Sequence, residues 1–316
     1  MDKVVMERVM TRKWIVVVAT VGALWASTAA AQEAARPGVL LLAHGGKSEW
    51  NERVLEVARR VNDTHPTEVA FGMATRASIQ AAIDKLSARG VTEIIAVPLF
   101  VSSHSSVITS TEFLLGLRKD APPDLAIFAR MNHGSHGSSS PADHNAHAAH
   151  ASAPDPASPV SVTLPIRMTA ALNRHPIIGG IIADRARSIS AAPEQEAVVL
   201  VAHGPVPDDD NRKWLEDMAV LAQQVNAAAP FASVDYMTVR DDAGPAMREA
   251  ATKQLRDKVS AQIAQGRRVL IVPHLMSFGG IEQGVMKRLE GLDYTMTTQA
   301  IMPDGRIVQW VLASAQ

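Results

Sequence analysis

Two histidines stand where an imidazole can do chemistry. His44 ends the apolar run 39–43 and is followed by Gly45; His104 lies just past the apolar run 93–100, inside Ser102-Ser103-His104-Ser105-Ser106. Imidazole exchanges protons near neutral pH and is a common ligand of divalent transition metals. Two such rings leaving neighbouring parallel strands at one rim could hold one metal ion, or pass protons to and from one ligand. A lone histidine at a strand end is more often a hydrogen-bonded structural residue. Here the pairing and the polar serine cluster turn the reading toward catalysis and metal binding by both.

The first of these histidines belongs to a repeated sentence. Val39-Leu40-Leu41-Leu42-Ala43-His44-Gly45 returns 159 residues later as Val198-Val199-Leu200-Val201-Ala202-His203-Gly204. Further landmarks follow in one order, twice: Val61-Asn62 and Val225-Asn226, Met73 with Arg76 and Met237 with Arg240, Val97-Pro98 and Val272-Pro273. Ordered landmarks of this kind indicate an internal duplication. In the second copy His274 falls where Leu99 lies, and Gly279 and Gly280 stand near the place of His104, so His203 has no matching histidine. Glu282 is then the nearest carboxylate, and His203, His274 and Glu282 form a candidate second site beside the reading that this half is degenerate and only closes the cleft. Arg76 and Arg240 are candidates to meet substrate carboxylates, or solvated arginines at helix starts. His65 and His175 each precede a proline, as loop and helix-start residues do.

Elements that position these residues follow from periodicity. In the first half, strands are predicted at 39–43, 68–71, 93–100 and 125–129, with helices at 50–62, 78–88, 107–118 and 177–189. In the second, strands at 197–202, 233–239, 267–273 and 295–301 alternate with helices at 211–226, 245–265, 281–289 and 305–312. Continuous apolar strands are those of parallel sheets buried on both faces. The expected fold is α/β: two similar lobes, 38–190 and 196–316, each a mainly parallel sheet flanked by helices. Ligands of such sheets sit outside the carboxyl ends of the strands.

A formal net charge of −1 leaves no electrostatic footprint for nucleic acid. Residues 1–31 carry Arg8, Arg12 and Lys13, an apolar run over 14–26 and small residues through Ala31, the pattern of a secretory signal peptide cut after Ala31. That run is shorter than the ~20 residues a membrane span needs, so no span is expected after cleavage, and the exported protein is expected in the periplasm. The chain has no cysteine, so any metal site must use His, Asp or Glu. Segment 132–158, rich in His, Ser, Ala, Gly and Pro, interrupts the first lobe and holds His133, His136, His144, His147 and His150. It reads either as an accessory metal-collecting loop or as a polar linker.

The run 39–45, Gly90-Val91 ahead of Val97-Pro98-Leu99-Phe100, His104 beyond it and the later His175-Pro176 resemble the sirohydrochlorin chelatases of the CbiX/SirB type. These are class II tetrapyrrole chelatases, alongside ferrochelatase and the anaerobic cobaltochelatase, and the resemblance extends over both halves. It implies insertion of a divalent metal into a tetrapyrrole in cobalamin- or siroheme-type biosynthesis, without ATP or an organic cofactor. Co2+ is the foremost metal, with Fe2+ or Ni2+ as alternatives. The resemblance makes His44 the first active-site histidine and His104 the nearest candidate for the second, and puts Met73 where the family tends to have an acidic residue. The chemistry suits the residues: insertion removes two protons from pyrrole nitrogens while the ion sheds water, and an imidazole can accept a proton or carry the ion.

Two other readings stand beside this one. An exported metal- or tetrapyrrole-binding protein on the same scaffold would store or deliver its ligand without catalysis. A structural or interaction protein would use the fold alone.

Overall fold

The computed structural model describes residues 35–133 and 154–316. Among them are two four-stranded, all-parallel sheets. The first is ordered β2-β1-β3-β4, with β1 Pro37–Ala43, β2 Thr67–Phe71, β3 Glu93–Pro98 and β4 Ile166–Met168. The second is ordered β6-β5-β7-β8, with β5 Glu196–Ala202, β6 Ser233–Thr238, β7 Arg268–Pro273 and β8 Thr295–Met296. The duplication read in the sequence is therefore a duplication of topology. The helices are α1 Ser48–Asn62, α2 Arg76–Ala88, α3 Ser106–Leu114, α4 Leu125–His133, α5 Pro176–Arg187, α6 Asp208–Ala228, α7 Pro245–Ala264, α8 Ile281–Arg288 and α9 Arg306–Ser314. Among the described residues no helix is long and apolar enough to cross a membrane.

Side chains alternate across each strand, and both faces of the central strands β1, β3, β5 and β7 are buried. Leu40, Leu42, Ile94 and Ala96 pack with α2, α3 and α4. Val199, Val201, Val269 and Ile271 pack with α7 and α8. The opposite faces of both sheets, through Val39, Leu41, Ile95, Val97, Val198, Leu200, Leu270 and Val272, join one core that also takes in α1, α5, α6 and α9. Each half lends its last helix to the other: α5, which follows β4, packs on α6 and β7, while α9, which follows β8, packs on α1. The helix expected at 177–189 as part of the first lobe thus packs against the second.

Three expectations about elements change. The predicted strand 125–129 is the start of α4; Leu125, Phe128 and Ala129 are buried at helical spacing, and a short apolar run does not by itself separate the two periods. The fourth strand is instead β4, three residues at the sheet edge, one of them an exposed arginine. The helix predicted over 107–118 ends at Leu114, where Gly116 takes φ 74 and the N–H of Leu117 turns back to the carbonyl of Glu112, a glycine-dependent stop. The run 295–301 keeps only two residues of strand, after which Ile301 and Met302 donate to the backbone of Leu275 and Met276.

One landmark of the repeat is not a structural equivalence. Ala43 pairs with Phe71 and Ala202 with Thr238, so by register Arg240 corresponds to Met73, not to Arg76. The other landmarks coincide: Leu42 pairs with Pro98 as Val201 pairs with Pro273.

Candidate active site at the rim of the first sheet

His44 follows the last residue of β1 and is exposed. Its backbone is fastened from α1: the indole N–H of Trp50 donates to the His44 carbonyl. The side chain of Asn51 closes the glycine turn by accepting from Gly46 N (3.0 Å) and donating to Gly46 O (3.2 Å). The imidazole Nδ1 lies 2.5 Å from the carbonyl of Gly45.

His104 sits in the loop between β3 and α3, its side chain 33% exposed. The flanking serines build this loop. Ser102 Oγ accepts from His104 N (3.1 Å), and Ser103 Oγ accepts from Ala171 N (2.9 Å) and from the Asn173 amide (3.1 Å). Asn173 Oδ1 in turn accepts from Ser103 N at 2.7 Å, and Ser105 caps α3. β1 and β3 are adjacent and parallel, so His44 and His104 both follow strand ends at the carboxyl rim of one sheet, and both rings are open to solvent.

Two residues that sequence reasoning missed reach His104 from the other half. On α6, Trp214 donates its indole N–H to the His104 carbonyl at 2.7 Å. One turn on, Asp217 Oδ2 lies 4.0 Å from His104 Nε2, while Oδ1 lies 3.4 Å from Arg174 Nε. Asp217 is 8% exposed, and among the described residues Oδ2 has no hydrogen-bond partner. Burial pushes its carboxyl above the ordinary value, outweighing the opposite pull of Arg174 and His104. A faint signal existed: Trp50 and Trp214 each stand eleven residues before the valine of the Val-Asn landmark, which marks α1 and α6 as equivalent.

The other candidates are placed as follows. His203 follows β5 as His44 follows β1, and its Nε2 is 3.3 Å from Asp242 Oδ2. His274 is only 3% exposed, its Nδ1 has no partner among the described residues, and burial alone pushes it down to about 4. His274 is thus enclosed rather than open beside His203. Glu282 is committed to its own helix start, Oε2 accepting from Gly279 N (3.0 Å) and Gly280 N (2.9 Å). The structure does not bring these three residues into one group of donors.

Arg76 donates to the carbonyls of Ser158 (3.0 Å) and Pro159 (3.2 Å), tying that segment to α2. Arg240 donates to Pro205 O (3.2 Å) and Val206 O and pairs with Asp208 at 2.7 Å. Both guanidiniums hold backbone in this structure. His133 ends α4, and His136, His144, His147 and His150 lie outside the described residues, as does 1–31. Among the described residues no three His, Asp or Glu side chains gather to hold a metal. Cavities of about 480 Å³ beside β6 and about 360 Å³ between α1 and the loops preceding α8 and α9 are lined by neither His44 nor His104.

Residues 38–114, which contain both histidines of the rim, match the CbiX family model. The sirohydrochlorin cobaltochelatase of Methanothermobacter thermautotrophicus is 35% identical over 88 residues, 27% of this chain and 61% of that protein, so the chain spans about three-fifths of this curated relative's length. Among solved structures, SirB from Bacillus subtilis with Fe3+ is similar in fold, with a TM-score of 0.57 and 16% identity over 88% of this chain and 94% of that one. A multi-domain Deinococcus radiodurans protein with structural similarity to chelatases matches with a TM-score of 0.50 and 16% identity, over 89% of this chain and 54% of its own. The CbiX family signature thus lies across β1 to α3, and the likeness in fold to the solved chelatase structure extends through both halves.

Proposed function

We propose that this protein is a metal chelatase of the sirohydrochlorin cobaltochelatase kind, inserting a divalent ion into a tetrapyrrole without ATP or an organic cofactor. The observation that carries the reading is that the family match spans both His44 and His104, which leave adjacent parallel strands at one open rim. Two imidazoles meet only part of the coordination demand of a transition-metal ion, leaving positions for water and then for pyrrole nitrogens. In this mechanism one ring delivers the ion. The pair then takes up the two protons that the macrocycle loses and passes them to water, so the charge of the entering M2+ is balanced by two H+ released. Co2+ is the metal that the matched relative's name carries, with Fe2+ or Ni2+ as alternatives, and in this reading the ion is a substrate. The leader-like stretch 1–31 supports export, into a periplasm-type compartment.

Mixing the chain that begins after Ala31 with sirohydrochlorin and Co2+ tests this. The spectral change should run well ahead of the protein-free control, and equal rates would overturn the assignment.

A second reading, ligand carriage without insertion, is favoured by the second half, where His274 is enclosed and Glu282 is spent on its helix. Titration with Co2+, Ni2+, Zn2+ and haem, with and without residues 133–150, separates the two: carriage gives tight binding with no rate enhancement.

A further inference from the structure

We infer that Asp217, contributed by the second half of the duplication, is the positioning residue for His104, so that the rim of the first sheet is completed from α6. The inference rests on the reading of His104 as a working ligand. Its geometry assigns separate work to the two carboxylate oxygens. Oδ1 is held by Arg174 at 3.4 Å, and Oδ2, enclosed and without a hydrogen-bond partner among the described residues, faces His104 Nε2 at 4.0 Å. A small rotation of the ring turns that approach into an Nε2–H donated to Oδ2, which leaves Nδ1 as the nitrogen with a free lone pair for an ion or a proton. Carboxylates behind histidines fix ring orientation and tautomer at metal sites in this way.

The duplication supplies a control within the molecule. Asp217 stands three residues past Trp214, and the residue three past Trp50 in α1 is Arg53. Arg53 donates to Glu49 and, at 3.4 Å, to the carbonyl of Met302, ordinary bonds at the junction where α1 meets the loop preceding α9. The fold therefore does not require a carboxylate at this helix position. An enclosed acid with an orphaned oxygen is a liability to packing, and the histidine it faces is what gives it a use. Trp214, one turn earlier, anchors the same residue's backbone, so α6 sets both the main chain and the ring of His104.

The test uses the full chain labelled with 15N-histidine. Ring-nitrogen spectra report the His104 tautomer, and Co2+ titration followed by visible absorption reports affinity, for wild type, Asp217→Asn and Asp217→Glu. Wild type should show His104 protonated at Nε2. Asp217→Asn should lose that bias and weaken Co2+ binding tenfold or more, Asp217→Glu should restore most of both, and the Tm of Asp217→Asn should equal or exceed that of wild type. A wild-type ring protonated at Nδ1, or tautomer and Co2+ affinity in Asp217→Asn within twofold of wild type, would overturn the inference. So would a lowered Tm with unchanged His104 signals, which marks a merely structural residue. If the chelatase reading alone is wrong, no tetrapyrrole is metallated while the tautomer difference persists.

Discussion

The indole N–H of Trp214 donates to the carbonyl of His104 across 110 residues of sequence, from one half of the duplication to the other. Its counterpart Trp50 donates to the carbonyl of His44 from within the same half. Both candidate histidines are thus held by a tryptophan at the same position of equivalent helices, one in cis and one across the junction. Trp214→Phe removes the bond and keeps most of the packing. It should cost about 1 kcal/mol in chemical denaturation and slow metal insertion more than it lowers stability. Unchanged insertion would show that His104 needs no such anchor.

His44→Ala and His104→Ala should each lower insertion by about 10²–10⁴-fold, the usual yield of a positioned acid or base. His44 is exposed and the His104 side chain is one-third exposed, so unfolding free energies should change by no more than about 0.5 kcal/mol. A variant that keeps its activity removes that histidine from the mechanism.

His274 makes stability depend on pH. Burial lowers its folded value from 6.5 to about 4, so below about 6.5 the unfolded chain takes up a proton that the folded one refuses. Unfolding free energy should therefore fall as pH drops through that window, by on the order of 3 kcal/mol at its lower end. His274→Leu, which installs the residue type that Leu99 provides at the equivalent position just past β3, should flatten that slope in denaturation series at pH 7, 5.5 and 4. An unchanged slope would assign the acid sensitivity to other groups.

Arg76→Ala frees the carbonyls of Ser158 and Pro159. Amide exchange across 158–168 should quicken while β1 and β3 stay protected, and insertion should change little. A large loss of insertion with unchanged exchange would instead mark Arg76 as a substrate contact.

What the sequence disclosed is what periodicity and repetition can encode. Val39 to Ala43 and its copy read as strands because parallel sheets covered on both faces leave no polar alternation. The Ala-His-Gly ends then located His44 and His203 at equivalent rims. β4 escaped notice because three residues at a sheet edge, one of them Arg167 facing solvent, carry no period. The approach of Asp217 to His104 escaped for a different reason: it arises from α5 and α9 being exchanged between the halves, which brings α6 to the first sheet's loops. No local pattern records an exchange of that kind. His274 looked like a donor because its type was visible and its enclosure was not.

Where a metal ion settles decides whether His44 and His104 form one site. Crystals of the chain beginning after Ala31, soaked with Co2+ and measured at the cobalt edge, should show an anomalous peak bound by both His44 and His104. A peak confined to His203 or to the histidines of 133–150, with nothing at the rim of the first sheet, would contradict it.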